Sequence, residues 1–274
     1  MPELAEFLPM LALILAIGAL AGVIAGLLGV GGGIVLVPAF FFAFEGLGYG
    51  PDGLMQICLA TSLATIVVTS VRSVLGHHKR GAVDWNILKA WGPGIAVGAA
   101  LGVVAASGLR NEVLMAIFGV LGLAVGLYMA FGRAEWRLGA QMPGRAGTIA
   151  TSPVIGFLSV LMGIGGGSFG VPMMTLYGVP IHRAVATAAG FGVIIAVPAV
   201  IGFLLTPGEA AGRPPFTVGQ VNIVAFVSVV AMTLITAPLG VKLAHAMDPK
   251  PLKRVFAVFI MVMALNMLRK ALGF

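Results

Sequence analysis

Two glycine strings interrupt long apolar stretches of this chain, and the backbone they expose is its most distinctive chemistry. The first reads Leu28-Gly29-Val30-Gly31-Gly32-Gly33-Ile34-Val35-Leu36-Val37-Pro38, the second Met162-Gly163-Ile164-Gly165-Gly166-Gly167-Ser168-Phe169-Gly170-Val171-Pro172. The glycines and the closing Val-Pro match at one constant offset, Gly29 to Gly163 and Pro38 to Pro172. Three consecutive glycines break a helix, and broken helix in lipid is tolerated only where protein or a water-filled cavity surrounds it. Matched breaks in two halves of a membrane chain point to a transport site. A helix starting just after Gly33 or Gly167 aims unpaired N–H groups and a partial positive charge at the break. Two such starts converging make an anion site without a buried Lys or Arg. The candidate contacts are the backbone of Gly31, Gly32, Gly33 and Ile34 in the first break, and of Gly165, Gly166 and Gly167 in the second. Ser168 stands where it can cap the second segment or donate to a ligand. Pro38 and Pro172 each stand a little over one turn past the last glycine. A proline there removes a helical bond, so the segments start either at the glycines or near the prolines.

Other polar residues at membrane depth are fewer. Thr61 and Thr187 are matched through Ala60-Thr61 and Ala186-Thr187 and are side-chain donor candidates, with Ser62 beside the first. Half two has Ala188 where half one has Ser62, which makes the candidate site asymmetric. Asn222 and Asn266 read as polar glue between helices. Arg72, Lys89 and Lys242 lie near basic loops and can snorkel. His77 and His78 read as loop residues, too few for a metal site. All nine carboxylates (Glu3, Glu6, Glu45, Asp52, Asp84, Glu112, Glu135, Glu209 and Asp248) fall in loops or at helix ends. None is available at the midplane for a cation or a proton relay, which argues against a metal or other cation transporter. An intramembrane enzyme would need a nucleophile–base pair or metal ligands at depth, and no His or carboxylate stands near the breaks. No catalytic residue, metal ligand or cofactor is therefore assigned.

The elements that must position these residues follow from composition. Of 274 residues 59% are hydrophobic and 9% charged, against about 25% charged in soluble domains. Uncharged runs such as Met10–Phe44, Val113–Gly132 and Pro214–Val241 are long enough to cross a bilayer, which takes about 20 residues. The reading is Phe7–Val30, a short Ile34–Phe44, Leu54–Leu75, Asn86–Ser107 and Glu112–Phe131. Gly147–Gly163, a short Ser168–Tyr177, Ala184–Leu205, Thr217–His245 and Pro251–Leu272 repeat the plan. Gly102, Leu114 and Phe118 match Gly240, Leu252 and Phe256, all three at the same spacing.

The net charge of +7 sits in short loops, as orientation signals do, so no nucleic-acid partner is expected. Cys58 is a lone cysteine, which excludes a disulfide within the chain. Glu3 and Glu6 precede the first apolar run without a basic residue, unlike a cleavable signal peptide. The basic loops are 77–80, 132–145, 182–183 and 250–254. Placing them inside puts the N-terminus outside and inverts the second half relative to the first. Arg269 and Lys270 then lie outside, against the rule. The expected fold is an all-α polytopic transmembrane bundle of two inverted-topology repeats, each with a glycine-broken re-entrant hairpin. Its parts are a first repeat (1–132), a basic cytoplasmic linker (133–146) and a second repeat (147–274).

The paired Gly-Leu-Leu-Gly-Val-Gly-Gly-Gly and Gly-Ile-Gly-Gly-Gly strings, each followed by Val-Pro, resemble the TauE/SafE family, as do Ala60-Thr61-Ser62 and Ala186-Thr187. The likeness runs from about residue 10 to 272. It implies an inner-membrane, multi-pass transporter of sulfur-containing anions such as sulfite, sulfoacetate or other organosulfonates. Export follows from the family name alone. The implied partners are the small anion and the lipid bilayer, and a homodimer stays open.

Overall fold

Apolar runs of this length form helices because every backbone group is then bonded within its own segment. The structure, a computed structural model, describes residues 4–28, 33–50, 52–132, 136–207, 212–246 and 249–273. Among these it has ten helices: α1 (Leu4–Leu28), α2 (Gly33–Gly46), α3 (Leu54–Lys79), α4 (Trp85–Gly108), α5 (Asn111–Phe131), α6 (Arg145–Leu161), α7 (Gly167–Leu176), α8 (Ile181–Leu205), α9 (Ile223–Ala246) and α10 (Pro249–Ala271). Among the described residues, five helices are long and apolar enough to cross a membrane: α3, α4, α5, α8 and the Ile223–Gly240 part of α9. α3 is buried over most of its length and forms the centre. The others turn residues such as Val104, Val120, Ile201 and Ile235 outward, where they are exposed.

Helix ends differ most from the sequence reading in two places. α3 continues through His77, His78 and Lys79 instead of ending at Leu75. The stop is Gly81, at φ +67°. Its N–H reaches the His78 carbonyl at 2.9 Å and the Ala82 N–H reaches that of His77 at 3.1 Å, the paired bonds of a Schellman end. At the other site, 217–222 is not helical. Thr217–Val218 (β1) pairs antiparallel with Val221–Asn222 (β2) around Gly219, at φ +56°. β-Branched residues flanking a glycine turn favour a hairpin, and α9 begins only after Asn222.

Helix pairing interleaves the two halves of the chain. α1 packs along α9 and α4 along α6, while α3 meets α8 and α5 meets α10. The contacts correspond residue by residue under the repeat. A Cβ on Gly22 would lie 2.8 Å from the Thr233 Cα, and one on its counterpart Gly156 would lie 2.9 Å from the carbonyl carbon of Ile95, the residue that corresponds to Thr233. Gly98 lies against the Pro153 backbone. Between lipid-facing helices apolar burial contributes little, so such close backbone approach is what holds them together. The corresponding helices α5 and α10 run antiparallel. Gly119 faces the Ala264 carbonyl, 2.9 Å from an added Cβ, and Gly126 faces that of Ala257, at 3.3 Å.

Loops gather at two ends. At one, Arg183 pairs with Asp84 at 3.0 Å, and the Leu138 N–H donates to the Leu176 carbonyl at 2.8 Å. At the other, the Gly50 N–H donates to the Gly212 carbonyl at 3.0 Å, and Lys270 pairs with Glu45. The basic loops 77–80 and 182–183 thus share one end, as orientation signals should. Lys270, one of the two exceptions to that pattern, is ion-paired at the opposite one.

Glycine size at these contacts predicts a contrast. Gly98→Leu is expected to destabilise the purified protein by about 1–3 kcal/mol, the usual cost of overpacking. Gly76→Ala, where nothing lies within 4 Å, is expected to leave the thermal midpoint unchanged or slightly raised. Thermal unfolding in detergent of both variants checks this.

Candidate functional site

Seen from its backbone, the second break is a helix end that folds back on two of its own carbonyls. α6 stops at Met162 because Gly163 takes φ +61°. The Gly163 N–H donates to Val160 at 2.9 Å and the Ile164 N–H to Ser159 at 2.9 Å, again a Schellman pattern. The Gly163 carbonyl in turn accepts the Ser62 hydroxyl at 2.7 Å. α7 then begins at Gly167, with Gly166 before it and the Gly170 N–H closing on the Gly166 carbonyl at 2.8 Å. A helix start leaves its first N–H groups without helical acceptors, here those of Gly167, Ser168 and Phe169. Among the described residues α2 runs from Gly33 through Pro38, and α7 runs from Gly167 through Pro172. The prolines sit early enough to cost only the bonds to the Ile34 and Ser168 carbonyls.

The two breaks meet. A Cβ on Gly33 would lie 3.1 Å from the Gly163 carbonyl oxygen and 3.2 Å from the Ile164 Cα. The Ser62 hydroxyl lies 3.5 Å from the Gly33 carbonyl as well as against Gly163. Ile66, one turn further along α3, fills the space between: its Cδ1 would be 2.7 Å from a Gly33 Cβ and its Cγ2 3.3 Å from a Gly165 Cβ. α7 is seated on α8 through Gly166. A side chain there would meet Phe191, the Ala188 carbonyl at 2.7 Å and the Gly192 N at 3.0 Å. Gly31 and Gly32 lie outside the described residues.

The threonines hold helix starts. Thr61 on α3 accepts from the Asn222 N–H at 2.9 Å, and Thr187 on α8 accepts from the Asp84 N–H at 2.9 Å. Asn222 caps α9 by accepting from the Ala225 N–H at 2.9 Å, and its amide donates to Pro215 and Thr217. It serves its own chain end and not a neighbouring helix, which corrects the polar-glue reading. Asp84 caps α4 through the Asn86 and Ile87 N–H groups. Each central helix thus anchors a capped helix of the opposite half.

Several of these residues escape the sequence reading. Asp84 and Asn222 are separated by the same spacing that relates Gly102 to Gly240, and both are of capping type and followed by a helix. That shared spacing is the signal that could have found them. Ile66 stands one turn past Ser62, and its counterpart in the second half is the small Gly192, which faces Ser70. Ser159, in the last turn of α6, is buried with no partner for its hydroxyl, and nothing in its sequence context marks it. Among the described residues no three His, Cys, Asp or Glu side chains gather at one place.

With the geometry in hand, comparison with known proteins decides the family. The model of the family described as sulfite exporter TauE/SafE matches residues 14–267. This chain belongs to that family. It is similar to a protein of Haemophilus influenzae named "probable membrane transporter protein", at 30% identity over 94% of this chain and 98% of the relative. A Methanocaldococcus jannaschii protein of the same description is 27% identical over 96% and 97% of the two chains. No solved structure matches. The chain is a multi-pass membrane transporter of the TauE/SafE family.

Removing either threonine hydroxyl should orphan a backbone donor. Thr61→Val and Thr187→Val are each expected to destabilise by about 1–3 kcal/mol, the cost of a buried unsatisfied group. Hydrogen exchange should quicken at the Asn222 amide in the first variant and at the Asp84 amide in the second.

Proposed function

We propose that this transporter moves small sulfur-containing anions, such as sulfite, sulfoacetate or other organosulfonates, across the inner membrane. The carrying observation is the start of α7: the N–H groups of Gly167, Ser168 and Phe169 have no helical acceptor, and they stand beside a Gly163 carbonyl already taken by Ser62. An anion is what such a place can hold. The backbone N–H groups of Gly31, Gly32, Gly33 and Ile34, and of Gly165, Gly166 and Gly167, are the contacts, with the Ser168 hydroxyl. Ser62, Thr61 and Thr187 act one step back. Ser62 joins the two breaks, and the threonines fix the helices behind them.

A sulfonate brings three oxygens and one negative charge, which suits several neutral donors arranged around it. Two dipoles of about half a charge each oppose that charge without a fixed cation. The solute can then leave again, which a buried Arg would hinder. The antiparallel α5–α10 pair and the exchanged α1–α9 and α4–α6 pairs support two inverted repeats, 1–132 and 147–274, joined by the 133–146 linker. They also support alternating access at the interface between the repeats. The choice of sulfite and the outward direction follow the family description.

Purified protein in liposomes tests it. Sulfite or an organosulfonate should exchange across the bilayer, and a divalent metal or an amino acid should not. Gly32→Leu and Gly166→Leu should each abolish flux in protein that still inserts. Movement of the metal with no movement of any anion would overturn the assignment.

A further inference from the structure

Each short helix is gripped at its far end by a cation from the opposite half of the chain. Lys270, in the last turn of α10, pairs with Glu45 at the end of α2. Its ammonium also lies 5.7 Å and 5.4 Å from the ring centres of Phe41 and Phe42. In the second half the positions corresponding to those two rings, at the offset of the glycine strings, are Thr175 and Leu176. The carbonyl of Thr175 accepts from the Arg137 guanidinium at 3.1 Å, and that of Leu176 from the Leu138 N–H at 2.8 Å. Arg137 follows α5 as Lys270 closes α10, and α5 and α10 are corresponding helices. The same two positions on both short helices are therefore held by the segment at the end of the same helix of the other repeat. A cation at a helix C-terminus is also stabilised by the dipole.

From these paired grips we infer that Lys270 and Arg137 are the two latches of the transport cycle. Each fixes the outer end of a short helix whose inner end is the anion site, and each releases when that site opens toward its own face. The inference rests on reading the breaks as the transport site. Both latches are closed in this structure, the arrangement expected when neither face is open. α7, ten residues long, spans about 15 Å, so tilting its latched end moves its first N–H groups directly. The two latches differ in chemistry. One is a side-chain ion pair over two aromatic rings, and the other is a guanidinium on backbone carbonyls. Salt should therefore weaken the first more than a simple backbone bond.

A cross-link and a one-sided accessibility measurement test this in the full chain embedded in liposomes. In Glu45→Cys/Lys270→Cys, oxidation should form a disulfide that stops flux, and reduction should restore it. Cys58 is buried and stays in place. No cross-link, or undiminished flux in cross-linked protein, overturns the proposal. Separately, Ser168→Cys reports on the break through a membrane-impermeant thiol reagent. Lys270→Met should speed labelling only from the face carrying Glu45, and Arg137→Met only from the opposite face. Equal change from both faces, or none, overturns it. Should the labelling follow this pattern while no sulfur anion moves, the latches stand and the choice of solute falls.

Discussion

Everything in this molecule answers one constraint: a helix broken inside a bilayer leaves peptide groups that hydrocarbon cannot satisfy. At the second break the carbonyls of Ser159, Val160 and Gly163 find donors nearby. Gly163, at φ +61°, folds the end of α6 back on its own carbonyls, and Ser62 reaches across from α3 to the carbonyl of Gly163 itself. The donors of α7 have no such closure. The imbalance is directional, because an end built on a left-handed glycine consumes carbonyls and a new helix start supplies N–H groups.

The packing around the breaks follows from the same constraint. If the breaks must stay dry except for their cargo, helices have to approach closely enough to seal them. Lipid gives little hydrophobic reason for them to do so. Gly22, Gly98 and Gly156 supply the closeness by letting backbone meet backbone. Ile66 supplies the bulk where two breaks leave room between them. Thr61 and Thr187 add direction: each fixes the first residue of a helix belonging to the other half. The halves are consequently tied at helix starts and along glycine faces. Their short helices are held at their tips by Lys270 at α2 and by Arg137 and the Leu138 N–H at α7.

Much of this is legible from residues alone, and the exceptions have physical causes. Ten helical segments emerge because apolar length dominates every other signal in a chain with so few charges. The doubled glycine string exposes the repeat. Helix ends are less legible because they depend on which glycine adopts positive φ. Gly76 and Gly81 are equally plausible stops for α3, and only the hydrogen bonds of Gly81 and Ala82 distinguish them. The hairpin at 217–222 is hidden inside an apolar run that a helix would also explain. Thr61 and Thr187 are found by their matching neighbours, but their partners are not. A hydroxyl in a sequence does not reveal which distant N–H it accepts. The prolines resolve in favour of the glycines as helix starts because losing one carbonyl's partner near a helix start is cheaper than unwinding a turn.

Ser62 shows most sharply how structure revises a chemical role. As a residue type it is a donor, and beside a suspected anion it reads as a ligand. A hydroxyl has one proton, however, and in this structure that proton lies on the Gly163 carbonyl, with the Gly33 carbonyl at the edge of reach. What Ser62 turns toward other neighbours is lone pairs, which an anion avoids. Its counterpart Ala188 has no hydroxyl at all, so the two halves are alike in backbone and unlike in side chain at this point. Ser62 is the polar side chain that couples Gly33 to Gly163. On the proposed reading of the breaks as the anion site, recognition then falls to backbone N–H groups such as those at the start of α7, and Ser62 acts as the link between the halves.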